Sequence, residues 1–219
     1  MPQRLTIDPQ TASFDELAPA VRRLLDGGLV AAPTQSFYAL MALVDQPRAL
    51  EKIIALKGER ERRGKPLLIM LDQAARVASY ARDVPPAAES LMARFWPGPL
   101  TLLFPALKGL HPSLLGQARE VGLRLEGLPV IRRLARMADR GLTGTSANPG
   151  GAPPPVSAGQ VRDYFGEEID LILDGGSTPG GPASTVIDVG LDPPRVVRPG
   201  VLPAAELQAA CPGLKLLPD

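Results

Sequence analysis

Gly144-Thr145-Ser146-Ala147-Asn148-Pro149-Gly150-Gly151 places two hydroxyls and a carboxamide within four residues, directly ahead of Pro-Gly-Gly. Small side chains leave the backbone open to a ligand. Gly150 and Gly151 can adopt the positive φ values that turn N–H groups toward an anion. The same residues also make an ordinary turn, so the stretch gains meaning only from others like it. Lys57-Gly58-Glu59-Arg60-Glu61-Arg62-Arg63-Gly64-Lys65-Pro66 sets five basic residues against two acidic ones, with two glycines. It reads either as a solvated charged turn or as a phosphate clamp, in which Lys gives a point charge and Arg a planar fork. Arg124 stands inside the apolar run Val121 to Leu125, where a charge needs an anionic partner. A structural salt bridge and a ligand carboxylate both satisfy that need. A second arginine, Arg198, precedes Pro199-Gly200 at the end of another strand-like run.

Alternating helices and strands must position these groups. Ser13-Phe14-Asp15-Glu16 has the form of a capping box, and apolar residues at helical spacing follow to Leu25 before Gly27-Gly28. Leu29 to Ala32 is a buried strand that delivers Pro33-Thr34-Gln35-Ser36 to its end, where open α/β sheets bind ligands. Pro47 opens a helix ending near Lys57, and Leu67 to Leu71 is a strand. A helical stretch runs from Asp72 to Ala81, and Pro85-Pro86 opens another through Phe95. Trp96-Pro97-Gly98-Pro99 is a structural corner, with Trp96 in the core, ahead of the strand Leu100 to Phe104. A helix over 129–139, the short strand 141–145 and a helix from Ser157 to Phe165 come next. Candidate strands at 170–174, 184–189 and 195–198 follow, then a final helix over 203–210. The pattern predicts a single α/β domain over 1–219, built on a twisted mixed sheet flanked by helices.

The 219 residues are 45% hydrophobic and 21% charged, with 24 basic and 23 acidic side chains. No global field advertises nucleic acid or an anionic membrane. One cysteine, Cys211, and one histidine, His111, rule out disulfide frameworks, Cys/His metal clusters and Ser-His-Asp chemistry. His111, before Pro112, is expected in an exposed loop. No signal core or apolar run of membrane-spanning length is visible, which suggests a cytoplasmic protein. Walker-type and Gly-x-Gly-x-x-Gly loops are also missing, so any nucleotide would be bound unconventionally.

In order, Pro33-Thr34, the Lys57 to Lys65 loop, Trp96-Pro97-Gly98-Pro99-Leu100-Thr101, Arg124, Thr145-Ser146-Ala147-Asn148, and Ser184-Thr185 with Arg198-Pro199-Gly200 resemble the Sua5/YrdC/YciO family. The resemblance covers about residues 17–202. It implies a YrdC-like core over about 14–202 with a concave ligand face, and a short tail over 203–219. It also implies the compact form, without the extra C-terminal domain of longer members. The implied activity is a nucleotidyltransferase reaction. Threonine and bicarbonate give a carbamate, which attacks the α-phosphate of ATP and yields threonylcarbamoyl-AMP and pyrophosphate for N6-threonylcarbamoylation of adenosine 37 in tRNA. By motif position, Thr34, Lys65, Arg124 and Ser184 would meet threonine or its carbamate. Lys57, Arg60, Thr145, Ser146, Asn148 and Arg198 would meet the nucleotide, with Lys57, Arg60 and Arg124 closest to the chemistry. Mg²⁺ would accompany ATP, and no protein-held metal is implied. Partners would be tRNA or double-stranded RNA and the proteins of the threonylcarbamoyl transfer machinery, but no membrane. Three features depart from the family pattern. Gln35-Ser36 and Ala39 stand where an acidic residue with Thr and a Gly are usual, the cationic loop is longer, and Arg124-Leu125-Glu126 replaces Arg-x-Pro. A YciO-like paralogue with a different or poor carbamoyl substrate is the alternative these departures raise.

Overall fold

A computed structural model describes residues 2–58 and 66–217. The capping box closes as expected: Ser13 Oγ accepts from the Glu16 N–H, and the Glu16 carboxylate accepts from the Ser13 N–H. It starts α1 (Phe14–Leu25). Helices α2 (Pro47–Lys57), α3 (Pro86–Phe95) and α4 (Pro129–Ala138) each begin with proline inside the first turn, where its missing N–H costs nothing. Ser157 caps α5 (Ala158–Phe165), and α6 spans Ala204–Ala210. The strands are β1 (Gln3–Thr6), β2 (Val30–Pro33), β3 (Tyr38–Met41), β4 (Leu68–Leu71), β5 (Leu100–Pro105), β6 (Glu120–Leu125), β7 (Leu142–Ser146), β8 (Leu171–Asp174), β9 (Thr185–Asp188) and β10 (Arg195–Arg198). They form one mixed sheet in the order β1-β8-β2-β3-β7-β4-β6-β5-β9-β10.

Two strands escape the periodicity argument. β1 is an edge strand, largely exposed, that pairs in parallel with β8. β3 is buried at every position, so it carries no alternation to distinguish it from a buried helix segment. Its pairing with β2 turns Pro33-Thr34 into the start of a hairpin, with Pro33 opposite Tyr38. The helix expected over Asp72 to Ala81 is a 3₁₀ segment, Ala74–Ser79. Its buried residue, Val77, and the buried Tyr80 that caps it are three apart, and the Tyr80 N–H donates back to Val77 O, which suits three residues per turn. The tail packs against the domain. Leu207, Cys211 and Leu214 are buried, and Lys215 bridges to Arg195. His111 is half-buried, and its ring accepts from the Ser113 N–H at the head of a short 3₁₀ turn. Trp96 is also half-buried, packed against the core with its indole N–H donating to Leu100 O.

Apolar side chains divide between the two faces of the sheet. On one face, α2, α3, α5 and α6 cover a core that includes Leu50, Ile53, Leu91, Phe95, Val161 and Leu207. On the other, among the described residues, α1 and α4 pack, through Leu17, Val21, Leu24, Val130, Ile131 and Leu134, against β2, β3, β7, β8 and Met70 of β4. That half-covered face leaves the β4-β6-β5-β9 side of the sheet open.

The link from β8 to β9 carries the chain across seven strand spacings. At about 4.8 Å each, that is roughly 34 Å on a flat sheet. Eleven residue steps from Asp174 to Thr185 reach about 36–40 Å when extended. The Gly175–Ser184 strap therefore has little slack, and its contacts mark its path. Thr178 N–H donates to Val156 O, and Gly180 N–H donates to Ser36 O in the β2–β3 hairpin. Tyr38 anchors its start. The fully buried hydroxyl donates to Gly176 O at 2.7 Å and accepts from the Gly175 N–H at 3.2 Å, while Arg4 holds the adjoining Asp174 in a forked ion pair. Burial pushes the Tyr38 phenol up to about 12, so it remains a donor across the working pH range. Removing that hydroxyl strands a backbone N–H and a carbonyl. Tyr38→Phe is expected to lower the free energy of unfolding by about 1–3 kcal/mol in urea denaturation. An unchanged midpoint would show that the strap is not anchored there.

Candidate functional site

The open half of the sheet face is an elongated cleft of about 750 Å³. Its floor follows from strand register. Arg124 lies opposite Met70 on β4, and Gly122 lies opposite Leu103 on β5. Leu103 in turn faces Asp188 on β9, and Thr101 faces Val186. All eight described candidates, Thr34, Lys57, Arg124, Thr145, Ser146, Asn148, Ser184 and Arg198, line this one cleft. Arg60 and Lys65 lie outside the described residues.

Arg124 is buried on β6, with its side chain 7% exposed. Its Nε donates to Gly98 O at 3.0 Å, Nη2 donates to Gln35 Oε1 at 3.3 Å, and the same nitrogen lies 2.8 Å from Glu126 Oε2. The Trp96–Pro99 corner, structural by sequence, thus serves the site directly. Gly98 N–H donates to Leu125 O while Gly98 O receives the guanidinium. Both partners expected for Arg124 bear on the outcome: the salt bridge is present, and the guanidinium still lines the cleft. Arg198 reaches in from the other wall. Its Nη2 donates to Ser184 O at 2.8 Å and to Ser184 Oγ at 3.0 Å, and Ser184 Oγ lies 3.0 Å from Thr101 Oγ1. Gly200 permits this approach, since a Cβ there would sit 2.4 Å from Ala183 O and from Thr185 N. Burial lowers the pKa of both arginines. Glu126 opposes that fall at Arg124, and the charge of Arg124 adds to it at Arg198. Two cations facing one cleft, Arg124 buried on β6 and Arg198 exposed on β10, create a preference for an anion.

The opposite wall is the Ser146–Gly151 loop, and Lys57 secures it. From the last position of α2, its ammonium donates to Ser146 O at 2.8 Å and Asn148 O at 2.6 Å, with Ser146 Oγ and Asn148 Oδ1 each at 3.3 Å. Asn148 Nδ2 donates to Pro149 O and Ala152 O, both at 2.8 Å, so the loop is rigid on both sides of the amide. The expectation that both glycines turn N–H groups to an anion is half met. Gly151 has φ of 80°, but the Gly150 N–H is spent on Lys57 O. Thr34 is similarly occupied. Its hydroxyl donates to Phe37 O at 2.7 Å and accepts from the Ser36 and Phe37 N–H groups, which shapes the Thr34–Phe37 turn.

Thr101, Glu120, Asp188 and the Gly98 carbonyl are site groups that sequence reasoning missed. Only strand register places them on the arginine face. Among the described residues no group of three His, Cys, Asp or Glu side chains could hold a metal, so the donor set does not fit a protein-held ion. Nor is any described helix long and apolar enough to cross a membrane. Burial raises the Asp188 pKa above the ordinary 3.8, and Glu120 adds to the rise, although the Gly190 N–H opposes it. The native state then holds that proton more tightly than the unfolded chain, and stability falls as pH climbs through the window above 3.8. Asp188→Asn should melt at a higher temperature than the parent at pH 7, with the gap closing as pH approaches 4; a constant gap would contradict this origin.

The fold is shared with known proteins. A family model for Sua5/YciO/YrdC, described as "Telomere recombination", matches residues 22–200. The threonylcarbamoyl-AMP synthase of Pyrococcus abyssi is 35% identical over 193 residues, covering 88% of this chain and 56% of the relative. The crystal structure of P. abyssi Sua5 complexed with L-threonine superposes with a TM-score of 0.90 at 31% identity, over 100% of this chain and 63% of that one. E. coli YciO superposes with a TM-score of 0.82 at 28% identity, over 92% of this chain and 97% of YciO. The chain thus spans little more than half the length of its archaeal relative and nearly all of the bacterial structure. With the sheet, the cleft and its ordered motifs all in agreement, the chain belongs to the Sua5/YciO/YrdC family.

Proposed function

We propose that the chain is an L-threonylcarbamoyl-AMP synthase that joins threonine, bicarbonate and ATP in the cleft. The observation that carries this reading is the convergence of Arg124, Arg198 and Lys57 with short polar side chains along one cleft. The P. abyssi structure with L-threonine, similar over the whole chain, supports it. The amine of threonine adds to bicarbonate with loss of water. A carbamate oxygen then attacks the α-phosphorus of ATP, and the bond to the pyrophosphate leaving group breaks. No protein nucleophile is needed. Catalysis rests on holding two anions close and in line while neutralising their charge.

In this reading Arg124 takes the threonine carboxylate, and Thr34 and Ser184 bound the threonyl group. Ser146, Asn148 and Thr145 meet the nucleotide with Arg198 opposite, and Lys57 acts through the loop it grips. Arg60 and Lys65 stay assigned to phosphate and threonyl contacts from sequence alone. Mg²⁺ would accompany the triphosphate as part of the substrate. The product would pass to the proteins that modify tRNA. Direct binding of double-stranded RNA is a lesser reading, because a net charge of +1 supplies little phosphate neutralisation.

One observation favours a second reading. Arg124 already holds a carboxylate, Glu126, at 2.8 Å, which suits a YciO-like protein that uses threonine poorly. Pyrophosphate release from ATP separates the two. A synthase requires both L-threonine and bicarbonate, and Arg124→Ala should cut its turnover by about 100-fold or more, the scale of removing one preorganised charge partner. Nucleotide binding with no threonine-dependent release would overturn the synthase reading in favour of the YciO-like one.

A further inference from the structure

Glu126 is fully buried at the end of β6, yet it does not line the cleft. A carboxylate survives such burial only with compensating charge and donors. Its Oε2 faces Arg124 Nη2 at 2.8 Å, off the line of a good hydrogen bond, as a charge contact. Its Oε1 accepts from the Gln35 N–H at 3.1 Å and, at the limit, from the Leu128 N–H at 3.5 Å. Arg132, the other cation nearby, donates to the backbone carbonyls of Glu126 and Gly127 and acts on the carboxylate through charge alone. Gln35 closes the ring, because its Oε1 accepts from Arg124 Nη2 at 3.3 Å and from the Gly127 N–H at 3.2 Å. Two positions that depart from the family pattern, 35 and 126, therefore meet at one nitrogen.

Both Glu126 oxygens face donors. An amide of the same shape would turn its NH₂ against either the Gln35 N–H or the guanidinium, so no neutral isostere satisfies the ring. We propose that Glu126 is a positioning residue whose carboxylate locks Arg124 to the Thr34–Phe37 turn and so sets how well the cleft takes a carboxylate-bearing amine. Glu126 acts only through Arg124 and Gln35. Because Gln35 Oε1 already lies beside Nη2, a carboxylate placed at position 35 would supply the same charge from the opposite side.

The inference rests on the synthase reading for its kinetic test and on geometry alone for its spectroscopic one. Glu126→Gln should raise KM for L-threonine about tenfold or more, the scale of removing one partner from a buried charge pair, while KM for ATP stays within about twofold. The double variant Gln35→Glu/Glu126→Gln should bring KM for L-threonine back to within about threefold of the parent, which repair of packing alone would not do. Equal changes in both KM values, or no rescue, overturn the proposal. If the parent itself ignores threonine, the synthase reading fails and the inference is judged by the Arg124 Nε–Hε NMR signal, identified by its loss in Arg124→Lys. That signal should shift or broaden in Glu126→Gln and return in the double variant; an unmoved signal overturns the lock whatever the substrate is. Should Glu126→Gln fail to fold, the comparison passes to Gln35→Ala, which keeps the carboxylate and removes one acceptor. It should shift the same signal less than Glu126→Asp does, because the shorter side chain draws the carboxylate back from Arg124 Nη2, and the reverse order overturns the proposal.

Discussion

A guanidinium carried on a strand and shut away from water must find acceptors, and those of Arg124 come from two distant segments and from its own strand end. Gly98 O from the corner before β5, Gln35 from the β2–β3 turn and Glu126 from its own strand end all converge on it. Each of these segments also contributes to the cleft wall or supports one that does. The cost of burying the charge is thereby converted into a constraint on backbone, because losing any acceptor leaves the cation undercompensated. Arg198 lies close enough that the Arg124 charge lowers its pKa, so the two cations share one field.

The sheet makes room for that field by leaving itself half covered. α1 and α4 seal β8, β2, β3 and β7, whereas β4, β6, β5 and β9 present their residues to the cleft on the same face. A mixed sheet allows this because β3 and β7 return antiparallel through the middle, which brings the Thr34–Phe37 turn and the Ser146–Gly151 loop to the same end. Lys57 then fixes the loop from below with four contacts to Ser146 and Asn148. The strap from β8 to β9 crosses above the hairpin and delivers Ser184 to Arg198.

Much of this was legible in the chain because the relevant residues are rare in their contexts. A strand-borne arginine, a Thr-Ser-Ala-Asn run before glycines and an Arg-Pro-Gly stop each point to an anion without any knowledge of topology. The helix starts were readable too, since capping boxes and first-turn prolines are local. What could not be read was relational. Tyr38–Met41 is buried on both faces, so its apolar run hides the hairpin that shapes the Thr34 turn. Thr101 and Asp188 look like ordinary strand residues until register sets them beside Arg124 and Leu103. Glu126 is 91 positions from Gln35, and nothing in either neighbourhood announces that they meet. The short 3₁₀ segment at Ala74–Ser79 differs from an α-helix in its i→i+3 hydrogen bonds, which composition does not announce.

The central claim is that buried Arg124 recognises the carboxylate of an amino acid. Calorimetric titration with L-threonine and with L-threoninamide, which keeps the side chain and amine but lacks the negative charge, tests it most directly. Measurable binding of L-threonine with at least about tenfold weaker binding of the amide, the scale of a lost charge-assisted contact, is the predicted result. Equal affinities for the two ligands would contradict it.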